Sequence, residues 1–233
     1  MYWQDKADKK EVFVVPEDVV DVLYAIVCPS LPLDHAYALS KSLQAALPWL
    51  PDEPRAGVHL IHVAESGNGW YRPEDPQNEV LCVSRRTRLV LRLRKERLRD
   101  ADALTGMTLD IDGFALQVGS GKIRPLSPLT TLYARYVQTG LHQEEEPFMR
   151  QVESDLKQQG TQARKILCGK LHRTRTPAGP ISSRSVMVAE LNPESAVRLQ
   201  EHGLGPGRQM GFGLFLPHKS VRAVREETDS GAL

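Results

Sequence analysis

The chain has 233 residues, 41% of them hydrophobic, with a formal net charge of +1. This allows one large domain or two small ones with an ordinary core. No apolar run spans a bilayer, and the start, Met1-Tyr2-Trp3-Gln4-Asp5-Lys6, has no signal-peptide apolar segment. Three scattered cysteines, Cys28, Cys82 and Cys168, without a C-x-x-C, predict a reduced cytoplasmic protein with no structural zinc.

Residues 1–17 read as a loose lead-in. Val19 to Val27 is β-branched and short, which predicts a strand. After Pro29 and Pro32, Asp34 reads as an N-cap and His35 to Leu47 as a helix. Its buried stripe is Leu39, Leu43 and Leu47, and Pro48 stops it. Gly57 to Val63 is a second strand, followed by a turn and a proline-containing loop over 70–79. Val80 to Val83 and Thr87 to Leu93 read as extended. Period two there sets Arg88, Arg92 and Arg94 on one face and Leu89, Leu91 and Leu93 on the other. Lys95 to Leu104 is a short helix, and Met107 to Val118 is extended around Asp112-Gly113.

Gly119 to Pro128 reads as a linker. Thr131 to Val137 is a strand and Glu144 to Gln159 a helix with acids in its first turn. Lys165 to Arg173 and Ser182 to Glu190 are strands around Pro177-Ala178-Gly179-Pro180. Asn192 caps a helix that has Pro193 at its first position and runs to about His202. Gly203 to Gly213 then carries five glycines in eleven residues before a short apolar strand, Leu214-Phe215-Leu216. Each half orders as βαββαβ. The predicted fold is α+β: two tandem ferredoxin-like (RRM-like) domains, 1–126 and 127–225, with a glycine-rich loop before the last strand. Residues 226–233 are a predicted disordered tail.

The glycine loop suits an anionic backbone, because Gly203, Gly205, Gly207, Gly211 and Gly213 allow positive φ and close approach to main-chain N–H groups. Arg208 adds charge. The order is helix, loop, strand, and no Lys-Ser/Thr follows, so it is neither a P-loop nor a dinucleotide fingerprint. The near-zero net charge hides segregation. Arg85 to Arg99 holds eight basic residues against one acid, and Leu156 to Ala189 holds seven against none. Separated charge of this kind suits a polyanion.

The segments Asp34-His35-Ala36-Tyr37-Ala38-Leu39, Gly67-Asn68-Gly69-Trp70-Tyr71-Arg72-Pro73, Ser84-Arg85-Arg86-Thr87-Arg88-Leu89, Arg184-Ser185-Val186-Met187 and Gly203 to Lys219 carry a resemblance. Over roughly residues 19–220 the chain resembles a compact subfamily of CRISPR repeat-processing endoribonucleases, in the repeat-associated RNA-binding superfamily. The resemblance implies cleavage of a precursor transcript within each repeat, with no metal or other cofactor. The ribose 2′-OH attacks the phosphorus, leaving a 2′,3′-cyclic phosphate and a 5′-OH. The partner it implies is CRISPR repeat RNA, as a stem-loop, with other subunits of an interference complex and no membrane.

On that resemblance His35, at the start of the first helix, is the expected general base. Such a group contributes about 10²- to 10⁴-fold, and a helix N-terminus favours neutral imidazole. Lys41 is expected to stabilise the phosphorane; Tyr37, one turn before it, and Tyr24 are expected helpers. Arg85, Arg86, Arg88, Arg92, Arg94, Arg184, His218 and Lys219 are expected to bind RNA with the glycine loop and Arg208. His59, His62, His142, His172 and His202 are weaker candidates. Two alternatives stay open: a non-catalytic scaffold of the same superfamily or a paired RNA-recognition protein, and a small-molecule phosphate-binding regulator.

Overall fold

The computed structural model describes residues 13–62, 80–141 and 144–218. The first half forms a five-stranded antiparallel sheet. Its strands are β1 (Val19–Val27), β3 (Gly57–His59), β5 (Arg88–Arg94), β6 (Thr108–Ile111) and β7 (Phe114–Pro125), in the order β3-β5-β1-β7-β6. Without the β6 hairpin, that order is the ferredoxin-like one. Two edge segments, β2 (Ser30–Pro32) and β4 (Val80–Cys82), pair as a separate ribbon. The second half has the strand order β11-β8-β10-β9. Those strands are β8 (Leu132–Gln138), β9 (Lys165–Thr174), β10 (Ile181–Ala189) and β11 (Leu216–Pro217). It is again the ferredoxin-like order, so the predicted tandem architecture is present.

Alternation explains the first core. Leu89, Leu91 and Leu93 point inward from β5 and are fully buried beside Val22 and Tyr24. Helix α1 (Ala36–Ala46) covers them with Leu39 and Leu43, and Leu47 continues the stripe. In the second half α3 (Glu145–Gln158) and α4 (Pro193–His202) bury Phe148, Val152, Leu156 and Leu199 against Val186 and Val188. Asn192 caps α4, accepting from the Ser195 amide at 2.7 Å.

Several expectations change. The Gly119–Pro128 linker is largely strand: β7 runs on to Pro125, pairing Ile123 with Val22 and Gly121 with Tyr24. A Cβ on Gly121 would lie 2.9 Å from Val22, so glycine permits that close pairing. The predicted helix over Lys95–Leu104 is a four-residue helix, α2 (Leu98–Ala101), between two 3₁₀ turns. The last strand is only Leu216–Pro217. His35, not Asp34, is the cap residue of α1, and it makes no side-chain cap bond. Asp34 instead accepts from the Arg175 amide at 2.8 Å, across the two halves.

Candidate RNA-facing cleft and its supports

The two halves are bolted by two arginines that run in opposite directions. Arg92 on β5 donates to both Asp21 oxygens, at 2.8 and 3.2 Å, and to the carbonyls of Gln200 and Phe215 in the second half. Arg208 lies in the glycine loop of the second half. It donates to the carbonyls of Ala56 and Arg55 in the first half, and to Glu201. Burial, then the nearby Arg92 and Arg55 cations, push Arg208 down to about 10, so it stays charged at neutral pH. Burial would raise Asp21, but Arg92 and His59 hold it well below the usual carboxylate range. Arg92 is wholly buried and Arg208 nearly so. The expectation that they contact RNA is therefore corrected: both are buried at the seam, which takes up the Arg92 donors and the Nε and Nη2 of Arg208. Period two reads the face of Arg92 correctly, but not that the second half covers it.

The glycines serve the same closure. Gly203, Gly207, Gly211 and Gly213 have φ between +65° and +86°. A Cβ on Gly213 would sit 2.0 Å from the Leu204 carbonyl, and one on Gly203 would sit 2.3 Å from the Arg208 guanidinium. Close packing within the loop thus accounts for these two glycines. Gly205 differs: its φ is +71°, nothing lies within 4 Å of its Cβ position, and it is exposed at the rim of a cleft.

That cleft has a volume of about 440 Å³. Tyr37, Ser40, Lys41 and Gln44 of α1 form one wall, and Gly205 to Met210 form the other. Gln44 donates to Ser40 Oγ and to Gln209 Oε1, while Gln209 donates to the carbonyls of Leu50 and Pro51. This amide pair holds the glycine loop against α1, and sequence pattern gives no sign of it. Glu53 at the floor is buried but ion-paired to Arg94 and Arg97. Burial alone would raise its carboxyl, and Arg94 lowers it.

The expected catalytic residues divide. Tyr37 and Lys41, one turn apart, face the cleft together. His35 does not. It is 3% exposed, and its Nε2 accepts from the Ile61 amide at 3.1 Å. An amide only donates, so Nδ1 carries the proton and gives it to the Pro32 carbonyl at 2.9 Å. Burial is the main cause that depresses its pKa and keeps it neutral. In this arrangement both ring nitrogens are occupied. Tyr24 is likewise buried and donates to the Ala101 carbonyl, and burial pushes its phenol up to about 12.

The remaining expected RNA contacts also separate. Arg85, Arg86 and Arg88 are exposed together before and at the start of β5, and Arg88 donates to the Arg85 and Thr87 carbonyls. Arg94 makes a bidentate pair with Glu53. Arg184 is half-buried and donates to the Gly169 carbonyl on β9. His218 is exposed near the Tyr133 ring. Lys219, His142 and the 226–233 tail lie outside the described residues.

Two ferredoxin-like folds in tandem, with a glycine-rich loop closing the second onto the first, define the class: the repeat-associated RNA-binding superfamily. Residues 20–220 match the family described as Cas6 Crispr. The CRISPR-associated endonuclease Cas6 of Myxococcus xanthus is 30% identical over 213 residues, 91% of this chain and 86% of that protein. The chain belongs to the Cas6 family of CRISPR repeat-processing proteins. Two solved structures share the fold. One, a Cas6-related protein from Pyrococcus furiosus, superposes with a TM-score of 0.62 at 14% identity, covering 87% of this chain and 99% of that one. The other, a CRISPR-associated protein Cas6, superposes with a TM-score of 0.58 at 12% identity, covering 86% and 100%. Among the described residues no helix is long and apolar enough to cross a membrane.

Proposed function

We propose that this protein is an endoribonuclease that cuts CRISPR precursor transcripts within the repeat, by attack of the ribose 2′-OH and without a metal. The observation that carries the reading is the family match over residues 20–220, joined to a cleft that presents Lys41 and Tyr37 beside the glycine loop. The strand lies in this cleft. Lys41 offsets the charge of a backbone phosphate, and the Tyr37 hydroxyl lies one turn away on the same wall. Arg85, Arg86 and Arg88, exposed in the turn before β5 and at its first residue, bind phosphates of the repeat stem. The repeat hairpin is the partner, and the protein acts alone or within an interference complex. His35 acts as a positioning residue that fastens the start of α1 to Pro32 and Ile61.

The test is cleavage of a labelled hairpin repeat RNA in EDTA, with the 3′ ends analysed. One cut bearing a 2′,3′-cyclic phosphate and a 5′-OH is expected. Cleavage that appears only with added metal, or ends carrying a 3′-OH, refutes the mechanism. The buried state of His35 also favours a second reading, a non-catalytic RNA-binding scaffold. Tight, salt-sensitive binding with no cutting selects it.

A further inference from the structure

One polar side chain on the wall of the cleft has no part in the proton transfers of cleavage. Gln44 lies on α1 three residues after Lys41, about 4.5 Å further along the helix and on the same face. Both line the cleft, together with the apolar surfaces of Pro51, Pro54, Pro206 and Met210. Apolar walls with a few fixed polar groups suit a flat ring that must be held in one orientation.

A second glutamine fixes which end of the Gln44 amide the cleft meets. Gln209 sits on the 3₁₀ turn Arg208–Met210 of the glycine loop. One atom of its amide lies 2.7 Å from the Leu50 carbonyl and 3.1 Å from the Pro51 carbonyl. Carbonyls only accept, so that atom is Nε2, and the atom turned to Gln44 is Oε1. An amide oxygen also only accepts, so Gln44 meets it with its own Nε2, at 3.1 Å. The same nitrogen reaches Ser40 Oγ at 3.0 Å. Gln44 Oε1 is therefore on the other side of its amide, and among the described residues no donor meets it. Glu53, the carboxylate of the cleft, is taken by Arg94 and Arg97. The wall thus presents a neutral, oriented acceptor one helical turn from Lys41, where a backbone phosphate is held.

We infer that Gln44 reads the nucleobase beside the scissile phosphate and selects one that carries an exocyclic amine: adenine, guanine or cytosine over uracil. This deepens the endoribonuclease reading above and rests on it. The amine donates to Gln44 Oε1 while the ring lies against the apolar walls. Uracil turns a carbonyl where the others carry an amine, which leaves two acceptors facing each other unpaired. Gln209 is a positioning residue that acts through Gln44, because it holds the Gln44 nitrogen away from the base. Since Gln209 belongs to the glycine loop, docking of that loop on α1 and orientation of the reader are one event.

The experiment is cleavage and binding of labelled hairpin repeats that carry each of the four bases in turn at the two nucleotides flanking the cut. Further repeats lack only the amine there, with purine for adenine or hypoxanthine for guanine. Wild type, Gln44→Met and Gln209→Met are compared, each with its thermal midpoint. At one of the two positions wild type should cut the amine-bearing RNA about tenfold faster than the uracil or amine-free one. Gln44→Met should bring these rates within about threefold of one another, and Gln209→Met should erode the preference in the same direction. A wild-type ratio under threefold at both positions, or a tenfold ratio that survives in folded Gln44→Met, overturns the reader. A tenfold ratio that survives in folded Gln209→Met overturns the positioning role. A wild type that binds but never cuts overturns the endoribonuclease reading instead, and the same ratios taken on affinity then decide the contact with Gln44.

Discussion

Replacing Arg92 by methionine tests whether this arginine is a structural bolt or an RNA contact. The side chain is wholly buried, and four of its hydrogen bonds end on Asp21, Gln200 and Phe215. Arg92→Met leaves the Asp21 carboxylate buried with the half-exposed Arg124, 2.9 Å away, and the buried His59, at 3.7 Å, as its neighbours. It also removes the donor to two carbonyls of the second half. Removing one partner of a buried pair typically costs about 3–5 kcal/mol. For a chain of this size that lowers the thermal midpoint by roughly 6–20 °C. The double variant Asp21→Asn with Arg92→Met should lose less than the two single variants together, because no charge is then stranded. Denaturation of all four proteins measures the cycle. RNA affinity is measured against salt at a temperature where each is folded. The slope of log affinity on log salt should match wild type, whereas losing a phosphate contact would reduce it by about one. A stability loss below about 1 kcal/mol, or a reduced salt slope, would refute the bolt.

Arg88→Ala should do the reverse, flattening the salt slope by about one with little change in midpoint, as salt titrations of binding will show. His35→Ala removes an acceptor for Ile61 and a donor to Pro32; leaving such groups unmet costs about 1–3 kcal/mol each, read by urea unfolding. His35 and His59 both have depressed pKa values, chiefly through burial, so the unfolded chain takes up their protons first. Their contribution is complete above pH ~6.5 and is lost as pH falls below it, at up to ~1.4 kcal/mol per pH unit for each group. Unfolding free energies that do not decline from pH 7 to 5.5 would contradict it. Gly213→Ala meets a backbone oxygen 2.0 Å away at φ +65°, whereas Gly205→Ala at φ +71° meets open space. Thermal melts should therefore show a cost of ~1–2 kcal/mol for Gly205→Ala and distinctly more for Gly213→Ala.

The sequence by itself determined the elements whose causes are local. Val19–Val27 is a strand because β-branched residues favour it. Leu39, Leu43 and Leu47 make one stripe because they are four apart. Asn192 caps α4 because its side chain reaches an amide three residues on. The repeated βαββαβ order follows from the same local signals, and family membership was legible in short segments spread along the chain. Only the tertiary structure decided which polar groups face solvent. Arg92 and Arg88 share a strand face and differ by four residues, yet one is buried under the second half and the other is exposed. Arg208 and His35 look in sequence like a loop cation and a helix-end base. Both are buried by packing against distant segments, where the Ala56 carbonyl accepts from Arg208 and the Ile61 amide donates to His35. Burial of a charged or titratable group depends on partners brought near by the packing of two halves, and no local periodicity encodes that.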